Sequence, residues 1–342
     1  MKISDFNYDL PESYIAQEPP EVRGSSRLLV LDKSSGQIQD NNYSDITNYL
    51  NKGDVLVLND TKVIKARLFA TKQNGAKREL ILIEKHGKND NWHTHKVLYR
   101  GKLSKGDVLK VNKHTLNVEQ ILGEGIALII SNQDLLKIAQ EYGHVPLPPY
   151  INRPDDIADN KRYQTIWAKE QGSVAAPTAS LNMTQDTLAK LQNKGVFIVY
   201  ATLHVGLGTF LPVRTDKVEE HTMHKEYFEV PKSTVQTIQD AKQNGNKVIA
   251  LGTTITRTLE YCHKEILSKP AQDLQGEADI FMYPGYKFKV IDSLITNFHA
   301  PNSTVLLLAA AFGGWDNLKN AYEHAKKQNY RFLSYGDSMF IY

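Results

Sequence analysis

Six short stretches of this 342-residue chain gather side chains that can do chemistry. GSVAAPTASLN carries Ser173 and Thr178, and HVGLGTF carries His204, Gly206, Gly208 and Thr209. Hydroxyls donate and accept, imidazole exchanges protons near neutral pH, and glycine lets a backbone come close to a ligand. Taken as a pair, these stretches read as the walls of a site rather than as two independent turns. HTMHKE holds His221, His224 and Glu226 within six residues. Its H-x-x-H-x-E spacing lacks the one-turn pairing of helical zinc sites, so no metal is expected and the cluster reads as orienting a polar ligand or its own members. GTTITRTLE, with Arg257, places a Gly-Thr-Thr turn before a helix whose first N–H groups are open to an anion. In TNFH, Asn297 and His299 stand beside a helix start, where they can meet a base edge or a hydroxyl; a histidine there serves structure just as readily. SYGD ends on Asp337, a candidate acid or base and equally a turn former.

The elements that must position these residues follow from periodicity. Between the first two stretches, Leu188 and Leu191 share a helical face, Thr184 or Asn182 can cap its start, and Gly195 ends it. Residues 196–203 are β-branched and aromatic, a buried strand. Both loops therefore lie at the ends of packed elements, where α/β proteins place ligands. The helix and strand rhythm occupies 184–203, 233–251, 254–267, 280–283 and 303–312, with KVIALGTT a buried strand running into its turn. Near the N-terminus a polar, proline-bearing arm precedes a strand at 27–31, a helix near 43–50 and the strand VLVLND.

From about Ala66 the texture changes. ARLFATK, RELILIEKH, DVLKVN, HTLNVEQIL and GIALIIS are short, partly alternating and punctuated by Gly, Asn and Asp, the pattern of a small antiparallel barrel or sandwich. A helix at 132–142 and the stiff connector VPLPPYINRP close this part. The simplest organisation is an α/β main domain formed by both ends of the chain, residues 1–65 and 151–342, with an inserted antiparallel β-barrel domain at 66–150.

Composition, at 41% hydrophobic and 23% charged residues, is that of a globular protein with a core large enough to need no staples. Cys262 is the only cysteine, so no disulfide framework is possible, and its helical setting reads as packing. No apolar run approaches the roughly 18–20 residues of a membrane span. The acidic N-terminus is unlike a signal peptide, so a cytoplasmic protein is expected. Net charge is only +3, but residues 62–113 hold fourteen Lys and Arg against four acids, which leaves the rest of the chain at −7. Wider edges at 66–150 soften this to thirteen against eight. Such a basic module attracts a phosphate backbone or is a solvated lysine-rich face. HVGLGTF is not a dinucleotide fingerprint, because Leu211 stands where the third glycine belongs, and no P-loop is present.

The chain resembles the S-adenosylmethionine:tRNA ribosyltransferase-isomerase family of queuosine biosynthesis. The likeness rests on DFNYDLPESYIAQEPPEVRGSSRLLVLD, GDVLVLNDTKVIKARL, GHVPLPPYINR, RYQTIWA, GSVAAPTASL, TLHVGLGTFLPV, HTMHKEYFEV, VIALGTTITRTLE, FMYPGYKF, TNFHAPNSTVLLLAAAF and YRFLSYGDSMFI, in the family's order over nearly the full length. It implies transfer of the ribosyl part of S-adenosylmethionine to 7-aminomethyl-7-deazaguanine at the wobble position of tRNA. Isomerisation to an epoxycyclopentanediol accompanies release of adenine and methionine. S-adenosylmethionine is then a consumed substrate and no cofactor is expected. The resemblance also implies an α/β main domain with an inserted β-barrel.

That chemistry needs a base at the acidified ribose carbon beside the sulfonium and a donor to the departing purine. On the resemblance, His204, His221, His224 and Asp337 are the catalytic candidates. Ser173, Thr178, Gly206, Gly208, Thr209, Arg257, Asn297 and His299 are the substrate-binding candidates, Arg257 through its bidentate fork. Lys62, Lys65, Arg67, Arg100, Lys102 and Lys105 are the candidates for contact with the tRNA backbone. One departure stands out: where the family usually has G-L-H-F, this chain has Ser180-Leu181-Asn182-Met183, and Asn182 cannot transfer protons near neutral pH. Partners would be the modified tRNA and S-adenosylmethionine, with no membrane, and the chain a monomer or weak homodimer. The alternatives are a non-catalytic tRNA-binding module of the same fold, which would not consume S-adenosylmethionine, and an enzyme acting on a free nucleoside.

Overall fold

A computed structural model describes residues 1–87, 91–206, 208, 213 and 215–342. Among them a nine-stranded mixed sheet runs in the order Leu274–Ala278, Glu226–Val230, Phe197–Leu203, Val55–Asn59, Val248–Leu251, Ser293–Asn297, Ser338–Ile341, Arg27–Leu31 and Ile38–Asn42. Its four middle strands, Phe197–Leu203 to Ser293–Asn297, are mutually parallel and therefore end at one edge. A closed six-stranded antiparallel barrel is built from Arg67–Lys72, Lys77–Leu82, Thr94–Arg100, Val108–Val111, His114–Gly123 and Ile126–Ser131. The architecture is thus the expected α/β body made from both ends of the chain with an inserted β-barrel.

Sequence explains the layers. In Arg27–Leu31, Leu29 and Leu31 enter the core on one face of the sheet while Leu28 and Val30 enter the core on the other. Val55 and Val57 against Leu56 and Leu58 do the same. A strand covered on both faces must be apolar at every position, which is why these segments read as unbroken hydrophobic runs. In the barrel alternate residues such as Leu68 with Ala70, Leu80 with Leu82 and Leu116 with Val118 turn inward to form a separate core, joined by Ile81. The helix Gln185–Asn193 is capped by Thr184, whose Oγ1 accepts from the Thr187 amide at 3.1 Å.

Some elements differ from expectation. No strand or helix forms at 280–283; the strand is Leu274–Ala278, antiparallel to Glu226–Val230. Its LQGEA sequence hid it, because it forms the edge of the sheet and buries only Leu274 and Ala278. Residues 43–48 form a 3-10 helix, and 254–267 divides into Thr253–Tyr261 and His263–Ser268. Cys262 lies buried at that break, its thiol pushed up to about 12 by burial, as a packing role requires. Among the described residues no helix is long and apolar enough to cross a membrane.

Candidate active site

A cleft opens at the edge where the parallel strands end. Its walls are the segments that leave those strands: Val205 after Phe197–Leu203, Gly252 to Thr254 after Val248–Leu251, and Asn297 to His299 at the end of Ser293–Asn297. Thr178, from a 3-10 turn, and Tyr150, from the proline-rich connector, complete it. Two α-helices, Thr253–Tyr261 and Thr304–Gly313, begin in its wall. The N–H groups of a first helical turn lack carbonyl partners within the helix and carry partial positive charge, so the cleft favours an anionic group. A smaller hollow lined by Met223, Ile280, Phe281 and Met282 shares Thr253, Thr254 and Val305 with it, offering an apolar, aromatic extension.

Two polar side chains in this cleft are poised rather than spent. Asn297 donates from Nδ2 to the Leu333 carbonyl at 2.8 Å, yet its buried Oδ1 has no hydrogen-bond partner. A buried acceptor left open is costly unless a ligand donor fills it. His299 is fixed at three points: Nε2 lies 2.8 Å from Thr296 Oγ1, its amide donates to Tyr322 Oη at 2.9 Å, and its carbonyl accepts from Tyr8 Oη. Burial brings its imidazole down to about 3, so it is neutral at pH 7. Nδ1 is the nitrogen left for a ligand. Thr178, Asn297 and His299 are thus brought together, as the sequence reading placed them.

The other imidazoles lie elsewhere. His204 does not line the cleft; its Nδ1 bonds Thr61 Oγ1 at 2.8 Å and its ring stacks on Tyr227. Burial, followed by the charges of Lys85 and His86, brings it to about 3. His221 packs its ring edge on Phe281, and burial, then His224, lowers it. His224 Nε2 sits 3.4 Å from Glu226 Oε1. Glu226 is fully buried: burial opposes its charge, but Arg257 foremost, then His224 and the Gly206 amide, bring it to about 2. Arg257 lines the smaller hollow, where its Nε has no partner, while its Nη atoms are held by protein groups. It pairs with Glu226 and donates to the Ala278 carbonyl at 3.2 Å. The two glycines serve the same packing: a Cβ on Gly206 would collide with the Glu84 carboxylate, and one on Gly208 would meet the His224 ring at 2.6 Å.

Three further residues turn out to be braces. Ser173 Oγ donates to the Ala175 carbonyl at 2.8 Å and accepts from the Val205 amide at 2.8 Å, strapping one loop to the next. Asp337 is buried outside the cleft, and its carboxylate accepts from the amides of Arg27 and Arg331, each at 2.8 Å. It stands as a turn former, not as an acid or base within reach of the cleft. Asn182 accepts from Ser26 Oγ at 2.6 Å and donates to the Gly336 carbonyl and Ser338 Oγ, both at 3.0 Å. It too does not line the cleft. Thr209 lies outside the described residues.

Sequence reasoning overlooked Tyr150, Thr253, Thr254 and Phe281 as wall residues. The Gly-Thr-Thr turn signalled the threonines; Phe281 sits in a stretch taken for a strand. Of the cationic candidates, Lys62 and Lys65 line a hollow at the barrel seam. Arg67 pairs with Glu79 at 3.2 Å, while Arg100, Lys102 and Lys105 are exposed on the barrel.

A family model described as queuosine biosynthesis protein matches residues 3–341. The S-adenosylmethionine:tRNA ribosyltransferase-isomerase of Chlorobium phaeobacteroides is 51% identical over 344 residues, covering 100% of both chains. That of Francisella tularensis subsp. mediasiatica is 44% identical over 342 residues, again covering 100% of both. The solved structure of S-adenosylmethionine tRNA ribosyltransferase from Thermotoga maritima is 33% identical, covers 99% of this chain and 100% of its own, and superposes with a TM-score of 0.58. With a full-length family model and relatives near half identity, this chain belongs to the S-adenosylmethionine:tRNA ribosyltransferase-isomerase family of queuosine biosynthesis.

Proposed function

We propose that this protein transfers the ribosyl moiety of S-adenosylmethionine to 7-aminomethyl-7-deazaguanine at the tRNA wobble position and isomerises it, giving epoxyqueuosine-tRNA, adenine and methionine. The observation that carries this reading, beside family membership, is the cleft in which two helix starts meet the open acceptor of Asn297 and the neutral imidazole of His299. The helix starts suit the methionine carboxylate. Asn297 Oδ1 suits an N–H donor such as the adenine amine or the methionine ammonium. The apolar extension with Phe281 suits a purine face.

Loss of adenine begins with removal of a proton beside the sulfonium. A base for this step must be unprotonated at pH 7 and within reach of the ribose. His299 is unprotonated at pH 7 and its bond to Thr296 fixes the ring, so its Nδ1 faces the substrate as an oriented acceptor. S-adenosylmethionine is consumed as a substrate, without a resident cofactor. The tRNA approaches over the cationic side of the barrel. With tRNA and S-adenosylmethionine as substrates the enzyme works in the cytoplasm, as a monomer or weak homodimer.

The deciding experiment is adenine release from S-adenosylmethionine with and without tRNA bearing 7-aminomethyl-7-deazaguanine. Release that requires the modified tRNA, with methionine and a modified nucleoside appearing in step, is the expected result. Tight tRNA binding without adenine release would instead favour a binding module, and release with the free nucleoside would overturn the tRNA requirement.

A further inference from the structure

A second hollow, of about 420 Å³, opens at the seam where the barrel's helix Leu135–Tyr142 meets the main body. It shares no lining residue with the cleft. Val63, Ile64, Leu136 and Val145 give it an apolar floor, and Lys62, Lys65 and Gln140 stand in its walls. Among the described residues no carboxylate lies within ion-pair distance of either lysine. The one carboxylate in the lining, Asp159, is spent: Arg153 holds both its oxygens, at 2.7 and 2.9 Å, and Tyr335 donates to it at 2.7 Å. The hollow therefore presents two uncompensated cations above an apolar surface, in a volume that admits a group the size of a nucleotide.

The surface outside it continues the same chemistry. Arg67 pairs its backbone with His144, one residue before Val145 of the hollow. Phe69, two residues on and facing the same way, is 58% exposed on the barrel and packs edge-on against the His144 ring. Arg100 follows across Glu79, whose carboxylate pairs with Arg67 at 3.2 Å and Arg100 at 3.6 Å, the Arg100 side chain lying largely in solvent. A large aromatic ring left in water between arginines, leading to a pocket with two free lysines, is the combination that single-stranded nucleic acid requires: charge for the backbone, and flat apolar faces for the bases.

We propose that the seam hollow binds one unpaired nucleotide of the RNA substrate, a neighbour of the reacting nucleotide, with its base on the Val63–Ile64 floor and its phosphate between Lys62 and Lys65. Phe69 carries the strand onward by stacking. This inference rests on the reading that tRNA is the substrate, and it adds a second base-holding site to the one where chemistry occurs.

The test fills the hollow from its solvent side. Gln140 is exposed at the rim of the hollow, so Gln140→Trp blocks the space without disturbing either core. With a modified anticodon stem-loop as substrate, the Gln140→Trp variant should raise the RNA KM about tenfold, as the loss of one held base predicts, with kcat and the S-adenosylmethionine KM unchanged. An abasic substitution next to the wobble nucleotide should raise the RNA KM of the unsubstituted enzyme by a similar factor and add nothing in the Gln140→Trp variant. The Lys62→Ala, Lys65→Ala double variant should weaken binding of the stem-loop and flatten its salt dependence. An RNA KM within twofold of normal for Gln140→Trp, or abasic and Trp effects that multiply independently, overturns the proposal. Fluorescence anisotropy with the same stem-loops reads the hollow even if no adenine is released, so failure of the pocket and failure of the proposed reaction remain distinguishable.

Discussion

Asn182 shows how much a single polar residue can hold. Its amide joins Ser26 to Gly336 and Ser338, near the other end of the chain, and none of its bonds faces the cleft. Asn182→Ala should therefore cost about 1–3 kcal/mol, the penalty for stranding buried polar groups, while adenine release per folded enzyme stays unchanged. Urea unfolding alongside the turnover assay checks both; a fall in kcat at full folding would restore a catalytic part for this position. Asn297 is the opposite case, because its Oδ1 waits for a partner. Asn297→Asp keeps the shape but puts a charge where a neutral acceptor stood and removes the Nδ2 donor to Leu333. Asn297→Ala should raise the S-adenosylmethionine KM about tenfold or more, measurable by adenine release at varied substrate.

His204 and His299 also set a pH dependence of stability. Both are held near 3 in the folded protein, against about 6.5 when unfolded. Above about pH 6.5 neither state binds these protons, and their burial is without penalty. As pH falls from there towards 3, the unfolded chain takes up protons that the folded chain refuses. Stability then declines by about 1.4 kcal/mol per pH unit for each histidine. Glu226, held near 2, adds to the loss only below its ordinary range. Denaturant midpoints between pH 7.5 and 5 should fall accordingly, and His204→Gln should remove part of that slope; an unchanged slope would mean that His204 titrates normally in the folded protein.

At the scale of elements, the helix Thr253–Tyr261 is the piece on which the site hangs. Its first turn faces the cleft, and two buried charged side chains, Arg257 and Glu260, lock the rest of it. Arg257 ties it to the strand Glu226–Val230 through Glu226. Glu260 gathers the next segment by accepting from the amides of Lys289, Val290 and Ile291 at 2.9 to 3.1 Å, with Tyr286 Oη at 3.1 Å. Removing one member of a buried pair leaves an uncompensated charge, so Arg257→Ala or Glu226→Ala alone should cost about 3–5 kcal/mol. The double exchange Arg257→Met, Glu226→Leu should be far milder than either single change. Thermal melts of the three variants decide it, and additive losses would show that the pair is not the coupling.

At the scale of the whole molecule, charge is divided between the two bodies. The barrel side presents Arg100, Lys102 and Lys105 to solvent, on an otherwise acidic chain. Exposed cations of this kind contribute little to folding and much to the capture of a polyanion. The double change Arg100→Ala, Lys102→Ala should weaken tRNA binding at low salt and reduce the slope of log K against log salt by about one, the value expected for one or two lost phosphate contacts. The S-adenosylmethionine KM should not move. Equal slopes for the two proteins would take these residues out of the tRNA path.

What the sequence by itself determined was the architecture and the neighbourhood of the site. Strands such as VLVLN and the alternating segments of the barrel record burial in their own local order, because a core face must be apolar wherever it recurs. The Gly-Thr-Thr turn and the TNFH stretch pointed to the cleft because strand ends in α/β sheets collect there. Tertiary structure decided which polar residues face the ligand space. Ser173 and Asp337 looked as suitable as Asn297 and His299, yet their partners lie on other elements: Val205 and Arg27. A hydrophobic residue announces its place by periodicity, whereas a polar one is defined by the group it meets, and that meeting exists only once distant segments have packed.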